Sequence, residues 1–294
     1  MNDGSLRPKL EAFLADIPIA VIVRDAARRA GRDKTEITAL LETFINETYV
    51  TLDVVEAHLD RQRNILEVGA GLCLFSLFLK KEGFAITALE PALGGFGIFD
   101  ILRRIILEHY SNIDLPVLAI PASDLNVSEH GHFGLIISNN VIEHIPDWEG
   151  ALCAMLGILS PHGYMMHACP NYTVPYEPHY GVPVFRRLPK LSKKLFLSAD
   201  ADEEIWDSLN FICHKQVRRF AARQGLSVAF KRGLIYQALA RLQKDTVFRQ
   251  RHQGLVTKVA DVLDNIGLLG LLRHLPPAMS TPMVFEMRRT SRIV

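Results

Sequence analysis

The chain is poor in cysteine and has no Cys-x-x-C pair, which removes the paired-thiol redox motif. Its four cysteines stand at 73, 153, 169 and 213, and three of them sit in apolar strand-like or helix-like stretches that suit reduced, packed thiols. No apolar run is long enough to cross a bilayer. The IPIAVIV stretch, Ile17 to Val23, falls far short of the roughly 20 residues a spanning helix needs. No charged start followed by a long apolar core marks a signal peptide, so residence in the cytoplasm is expected. An excess of either charge is missing too: 33 basic and 32 acidic residues among 294 give a net charge of +1. Such a balance supplies no overall field for nucleic acid, although local patches stay open. Internal repeats and low-complexity tracts are absent.

What is present is a hydrophobic content of 49%, enough for one large core, or for one core with a subdomain. Up to Arg63 the pattern is helical, with Ile37, Leu40, Leu41, Phe44 and Ile45 at spacings of three and four, and residues 1–63 are read as a helical lid. From Asn64 onward, short runs rich in Ile, Val, Leu and Phe alternate with helical segments at Leu72 to Lys81, Phe96 to Tyr110 and Trp148 to Leu159. That alternation predicts a mostly parallel sheet, doubly wound with helices on both faces, across residues 64–294. Its strands are NILEV, FAITALE, PVLAI, FGLIIS and GYMMHA, followed by LSVAFKRG and TPMVFEMRR, seven in all. A proline-rich, aromatic and then charged insertion follows the fifth strand at about 171–210, and a helical insertion separates the last two at about 237–275.

The most informative segment is NILEVGAG, Asn64 to Gly71, followed by a strand that ends in Glu90. Glycines after an apolar strand let the backbone turn tightly and approach a ligand, and a carboxylate at the next strand tip suits a ribose diol. A dinucleotide fingerprint would need a third glycine where Leu74 stands. Glu67 would also repel a pyrophosphate, but it suits a ligand that carries an ammonium and a sulfonium, as S-adenosylmethionine does. With these residues the chain resembles the class I S-adenosylmethionine-dependent methyltransferases. Their first motif, E-x-G-x-G-x-G, is matched by Glu67, Gly69 and Gly71, with Cys73 in place of the last glycine. The resemblance implies a seven-stranded sheet of that fold whose last strand lies antiparallel beside its predecessor.

Ligands of open parallel sheets lie outside the carboxyl ends of the strands, and each expected tip here is polar. The first offers Glu67, Gly69 and Gly71; the second Glu90; the third Ser123 and Asp124; the fourth Ser138, Asn139, Asn140, Glu143 and His144; the fifth Asn171 and Tyr172. Glu67, Gly69, Gly71, Glu90, Ser123, Asp124 and Asn139 are therefore the candidate cofactor residues. Asp124 resembles the family residue that bonds the adenine amino group, with simple turn chemistry as the alternative, and Glu90 has a helix cap as its alternative. The stretch FGLIISNNVIEHIPDW resembles the family's fourth-strand pattern. His144 is a candidate base for an acceptor hydroxyl, with packing at the helix start as its bland reading, and His179 is the second catalytic candidate.

Tyr172, Tyr176, Glu177 and Tyr180, in the loop after the fifth strand, are the candidate acceptor contacts; their alternative is a rigid loop covering the core. His144, Glu177 and His179 lack regular ligand spacing, so no metal is expected. Arg186, Arg187, Lys190, Lys193 and Lys194 form the one local basic cluster, either a solvated face or a docking patch for an anionic acceptor, a glycan carrier or a membrane surface. The IGLLGLLRHLPP segment leaves peripheral membrane contact open in the same way.

Several activities drop out. SNNV after the fourth strand is not the N/D-P-P-Y/F of enzymes acting on exocyclic nitrogens, no Pro-Cys marks cytosine chemistry, and no Tyr-x-x-x-Lys marks a short-chain dehydrogenase. The reading is methyl transfer from S-adenosylmethionine to a small-molecule or sugar acceptor, at oxygen, with a non-catalytic scaffold of the same fold as the alternative. Oligomeric state is not legible.

Overall fold

A computed structural model describes residues 5–91, 97–199, 201, 203–244, 249 and 255–290. The N-terminal periodicity becomes three helices, α1 (Arg7–Ala15), α2 (Ile19–Ala30) and α3 (Lys34–Val55). α2 stops where Gly31 takes a left-handed φ of 64°, and α3 begins where the Asp33 carboxylate accepts the Thr35 and Glu36 N–H groups at 2.7 and 3.4 Å. Ile37, Leu41, Thr48, Leu52 and Val55 make its buried face. Leu40, Phe44 and Ile45 stay half-buried beside that face, which leaves Phe44 available to a neighbouring element.

The alternating segments become β1 (Ile65–Val68), α4 (Leu74–Lys81), β2 (Ile86–Leu89), α5 (Gly97–His109), β3 (Val117–Leu118), α6 (Val127–His130), β4 (Phe133–Asn139), α7 (Trp148–Ile158) and β5 (Leu159–Cys169). Phe96, the expected start of the second helix of this run, lies outside the described residues. Between β3 and β4 the chain forms only the 3-10 turn Ala122–Asp124 and the single turn α6. After β5 come the two-residue strands β6 (Tyr176–Glu177) and β7 (Val182–Pro183), then α8 (Pro189–Phe196), α9 (Glu203–Ser208), α10 (His214–Arg223), β8 (Leu226–Phe230), α11 (Leu234–Lys244), α12 (Leu255–Asn265) and β9 (Met283–Arg289). The sequence pattern missed the β6–β7 hairpin, because each strand is too short to show alternation.

The seven-stranded sheet has the order β3-β2-β1-β4-β5-β9-β8, so the last strand does lie beside its predecessor. Pairings β1–β2, β1–β4 and β2–β3 are parallel. All four residues of β1 are buried, as a strand covered on both faces requires. Strand order reverses beside β1, with β2 on one flank and β4 on the other, and this opens a crevice at their carboxyl ends. Among the described residues no helix is long and apolar enough to cross a membrane.

Two compact units emerge: one runs to His167 and takes in Arg288 onward, the other is Ala168–Met287. In the first, α1 to α3 belong with β1 to β4. In the second, Tyr172, Val184, Trp206 and Leu209 form one core, and Leu239, Leu242, Ala260 and Leu269 form another. Asn171 ties this unit together: its amide donates to the Ala278 and Ser280 carbonyls at 3.0 and 2.9 Å and accepts the His214 N–H at 3.1 Å. An asparagine that follows a strand and saturates its bonds in this way serves the fold, whatever its place in the loop. Cys73, Cys169 and Cys213 are buried and Cys153 is exposed, and all four are thiols.

Candidate active site

At the end of β1 the backbone turns through Gly69 and Gly71, whose φ angles of 70° and 55° lie in the left-handed region. Packing demands these glycines a second time. A Cβ at Gly69 would lie 2.2 Å from Val141 Cγ2, and one at Gly71 would lie 2.5 Å from Phe44 Cε1. The tip of β4 therefore folds onto the first glycine, and α3 lays a phenyl edge on the second. Cys73, standing for the motif's last glycine, still takes a left-handed φ of 61°, so the turn persists with a buried thiol inside it. Burial raises that thiol above its usual range, so it stays protonated and is no nucleophile.

Two carboxyl groups converge on the turn. Glu90 Oε2 accepts the Gly71 N–H at 2.7 Å, and its own N–H donates to the Leu118 carbonyl at 3.0 Å. Glu67 is buried and accepts the Ser76 hydroxyl of α4. Burial pushes Glu67 up to about 8; the charge of Glu90 adds to this and the Ser76 bond opposes it. Glu90 is also raised, by burial first, against the Gly71 N–H and the guanidinium of Arg103. Arg103, on α5, lies 3.9 Å from Glu90 and 2.6 Å from Asp100, so its charge is already engaged by acids. A cationic ligand would favour the ionised form of both buried acids, whose raised values mark the cost of burying their charge without one.

Glu67 carries a pH signature. Its folded value of about 8 lies above its ordinary 4.5, so between those values the unfolded chain sheds a proton that the folded chain keeps. The contribution of Glu67 to stability is then expected to fall by up to a few kcal/mol as pH rises through this window and to level off above it, while buried neutral His167 acts in the opposite sense up to its ordinary 6.5. Urea unfolding midpoints across the window should fall with pH more steeply in the wild type than in Glu67→Gln, the difference being the contribution of Glu67; equal slopes would remove Glu67 as a source.

At the tip of β4, Asn139 and Asn140 both donate their side-chain amides to one oxygen of Glu47, at 2.7 and 2.9 Å. Asn140 sits at a φ of 53°, a left-handed conformation that asparagine tolerates better than most residues. Glu47 belongs to α3, one turn beyond Phe44, and sequence reasoning missed it. The only hint is its place one turn past an apolar residue on the half-buried side of the helix. Arg103 was missed as well; its signal is a basic residue among Leu102, Ile105 and Ile106 on the buried face of α5.

His144 closes the 3-10 turn Ile142–His144 after β4. Its side chain is 28% exposed, and Nε2 lies 4.0 Å from Oε1 of the fully buried Glu143. Ser138 is directed elsewhere: its hydroxyl pairs with His167 Nδ1 at 2.7 Å, and burial brings that imidazole down to about 3, hence neutral. Ser123 and Asp124 are exposed in the turn after β3, with the serine hydroxyl donating to Asp124 Oδ1 at 3.0 Å. The first unit thus gathers Glu67, Gly69, Gly71, Glu90 and Asn139 around one crevice, with Ser123 and Asp124 following the strand next to Glu90.

In the second unit the candidate acceptor residues take different places. Tyr172 is buried in the first core of that unit, and its hydroxyl donates to Glu177 at 3.2 Å. Glu177 is fully buried and accepts His179 Nδ1 at 2.6 Å and the Tyr180 N–H at 2.9 Å. Burial pushes this carboxyl up, but the His179 and Tyr180 bonds outweigh it and hold it below the usual range. Tyr180 packs on Trp206 with ring centroids 5.7 Å apart, and Tyr176 is 39% exposed on the hairpin. Tyr172 and Glu177 therefore brace the loop from within, which an aromatic-rich stretch of sequence does not reveal.

The profile of a methyltransferase domain family matches residues 38–229, from α3 through the glycine turn to β8. The chain belongs to this methyltransferase family. It is a class I methyltransferase, and its methyl donor is S-adenosylmethionine. The methyltransferase is 32% identical over 236 residues to the uncharacterized protein Rv1509 of Mycobacterium tuberculosis, covering 78% of each chain. It is 22% identical over 199 residues to a ubiquinone biosynthesis O-methyltransferase of Neisseria meningitidis, covering 64% of this chain and 74% of that one. Among solved structures, an S-adenosylmethionine-dependent methyltransferase of Mesorhizobium loti superposes with a TM-score of 0.49 at 12% identity, over 81% of this chain and 96% of that one. A phosphoethanolamine N-methyltransferase of Haemonchus contortus gives 0.46 at 12% identity over 84% of this chain, which spans only 53% of that enzyme's length.

Proposed function

We propose that this methyltransferase acts on an oxygen of a small-molecule or sugar acceptor, with the cofactor seated in the crevice of the first unit. The observation that carries the reading is the placement of His144: a partly exposed imidazole beside buried Glu143, three residues past the Val141 that packs on the glycine turn. In this reading Glu90 accepts the ribose hydroxyls, Ser123 and Asp124 face the adenine, and Glu67 and Asn139 serve the methionine end. Bound S-adenosylmethionine supplies an activated methyl group whose sulfur is already a good leaving group. The chain's own part is to align the acceptor, exclude water and take its proton, and His144 is the base for that proton. His179, oriented through Nδ1 by Glu177, is the second candidate for proton transfer, with Tyr176 and Tyr180 as acceptor contacts. The identity to the ubiquinone biosynthesis O-methyltransferase supports oxygen as the acceptor atom.

The test is product analysis with phenols, sugars and amines as acceptors, followed by His144→Ala on the best of them. The substitution is expected to leave cofactor affinity unchanged and to lower kcat by about 10²- to 10⁴-fold, with the wild-type dependence on pH lost. Methylated amines in place of O-methyl products would overturn the oxygen assignment, and unaltered turnover would remove His144 as the base.

A further inference from the structure

Helix α8 is amphipathic in the wrong sense for a surface helix. Its buried residue is Ser192, whose hydroxyl accepts the Phe185 N–H at 2.7 Å and donates to the Leu188 carbonyl at 3.2 Å. Leu188, Leu191 and Leu195, spaced by three and four residues along one side, are 56%, 43% and 57% exposed, and Phe185 beside them is 47% exposed. A soluble surface helix normally turns such a stripe inward. Basic residues flank it. Among the described residues, Arg187, Lys190 and Lys194 have no carboxylate partner, whereas Arg186 is bound to the Phe211 carbonyl and Gln216, and Lys193 holds Glu203 and Asp207 at 2.9 and 2.7 Å. Glu203 and Asp207 of α9 are thus engaged by Lys193. A shallow cavity of about 310 Å³ beside the helix is lined by Lys190, Lys193, Lys194 and Glu203.

We propose that α8 docks this enzyme on an anionic lipid bilayer, the leucines reaching the acyl boundary and the flanking cations meeting lipid phosphates. Two observations favour a bilayer over a second copy of the chain. α8 has eight residues, about 12 Å of helix, a narrow strip beside the roughly 800 Å² per partner that a stable protein interface buries. Its uncompensated cations would also face each other across a two-fold axis, whereas an anionic surface neutralises them. The proposal stands apart from the assignment of acceptor and base, because α8 carries none of those residues.

Vesicle flotation tests it, with phosphatidylcholine vesicles alone and with added phosphatidylglycerol, at low and high salt. The wild type is expected to float with the anionic vesicles and to lose that binding as salt rises. Leu191→Asp with Leu195→Asp should lower the bound fraction about tenfold or more, Lys190→Ala with Lys194→Ala should remove the preference for anionic lipid, and Val21→Ser, at an exposed site on α2, should change nothing. Melting curves and cofactor titration check that each variant is folded; Leu191→Ser with Leu195→Ser replaces the aspartates if they unfold the chain. Failure of the wild type to bind either vesicle overturns the proposal, as does unaltered binding by the leucine variants. A wild-type dimer, seen by light scattering and dissociated by the same variants, would assign the face to a second copy and overturn it equally.

Discussion

Glu90→Ala is expected to raise the dissociation constant for S-adenosylmethionine by about a hundredfold or more. A carboxylate that accepts two ribose hydroxyls makes two hydrogen bonds to a charged group, each worth about 1.5–3 kcal/mol, and even the lower sum corresponds to roughly that factor. The apo fold should tolerate the change. Gly71 loses its 2.7 Å acceptor, but Arg103 keeps Asp100 at 2.6 Å and is not stranded. Glu90→Gln should fall between, since its amide oxygen can still accept from Gly71 but the charge is gone. Calorimetric titration of the three proteins, with melting curves alongside, decides the matter; unchanged affinity in a folded Glu90→Ala protein would end the ribose assignment.

Gly69→Ala should cost about 2–5 kcal/mol of stability. The added Cβ would meet Val141 Cγ2 at 2.2 Å, Cγ1 at 2.7 Å and Cβ at 3.0 Å, so no rotation of this β-branched side chain clears it. Overpacking of that kind costs about 1–3 kcal/mol, and a φ of 70° adds about 1–2 kcal/mol for a residue with a Cβ. The two terms can be separated. Val141→Ala in the same chain should recover the packing part and leave the backbone part, which a double-mutant cycle in urea reads directly. A Gly69→Ala protein as stable as the wild type would mean that the tip of β4 does not rest on the turn.

Both experiments address a corner that was readable in advance, because its signals are local. Strand periodicity, glycines at the end of β1 and an acid at the end of β2 are properties of a few consecutive residues, and a parallel sheet brings their tips together by its topology alone. Even the order of the last two strands followed once the family was recognised. Local pattern was silent on partners. It showed Phe44 as one apolar position in a helical periodicity, but not that its ring edge would set the requirement for glycine at 71, and it passed over Glu47 because one carboxylate on a long helix looks like any other.

The sequence by itself determined the α/β class, the succession of strands and helices and the glycine turn flanked by Glu67 and Glu90, since these depend on spacing and on backbone conformations few residues adopt. Only tertiary structure decided that Glu47 would gather Asn139 and Asn140, that Arg103 would stand beside Glu90, that Tyr172 and Glu177 would be buried as braces, and that the leucines of α8 would face outward. Those outcomes turn on which surfaces meet across long stretches of chain, and an amphipathic pattern states that a helix has two faces without stating which one the rest of the molecule will cover.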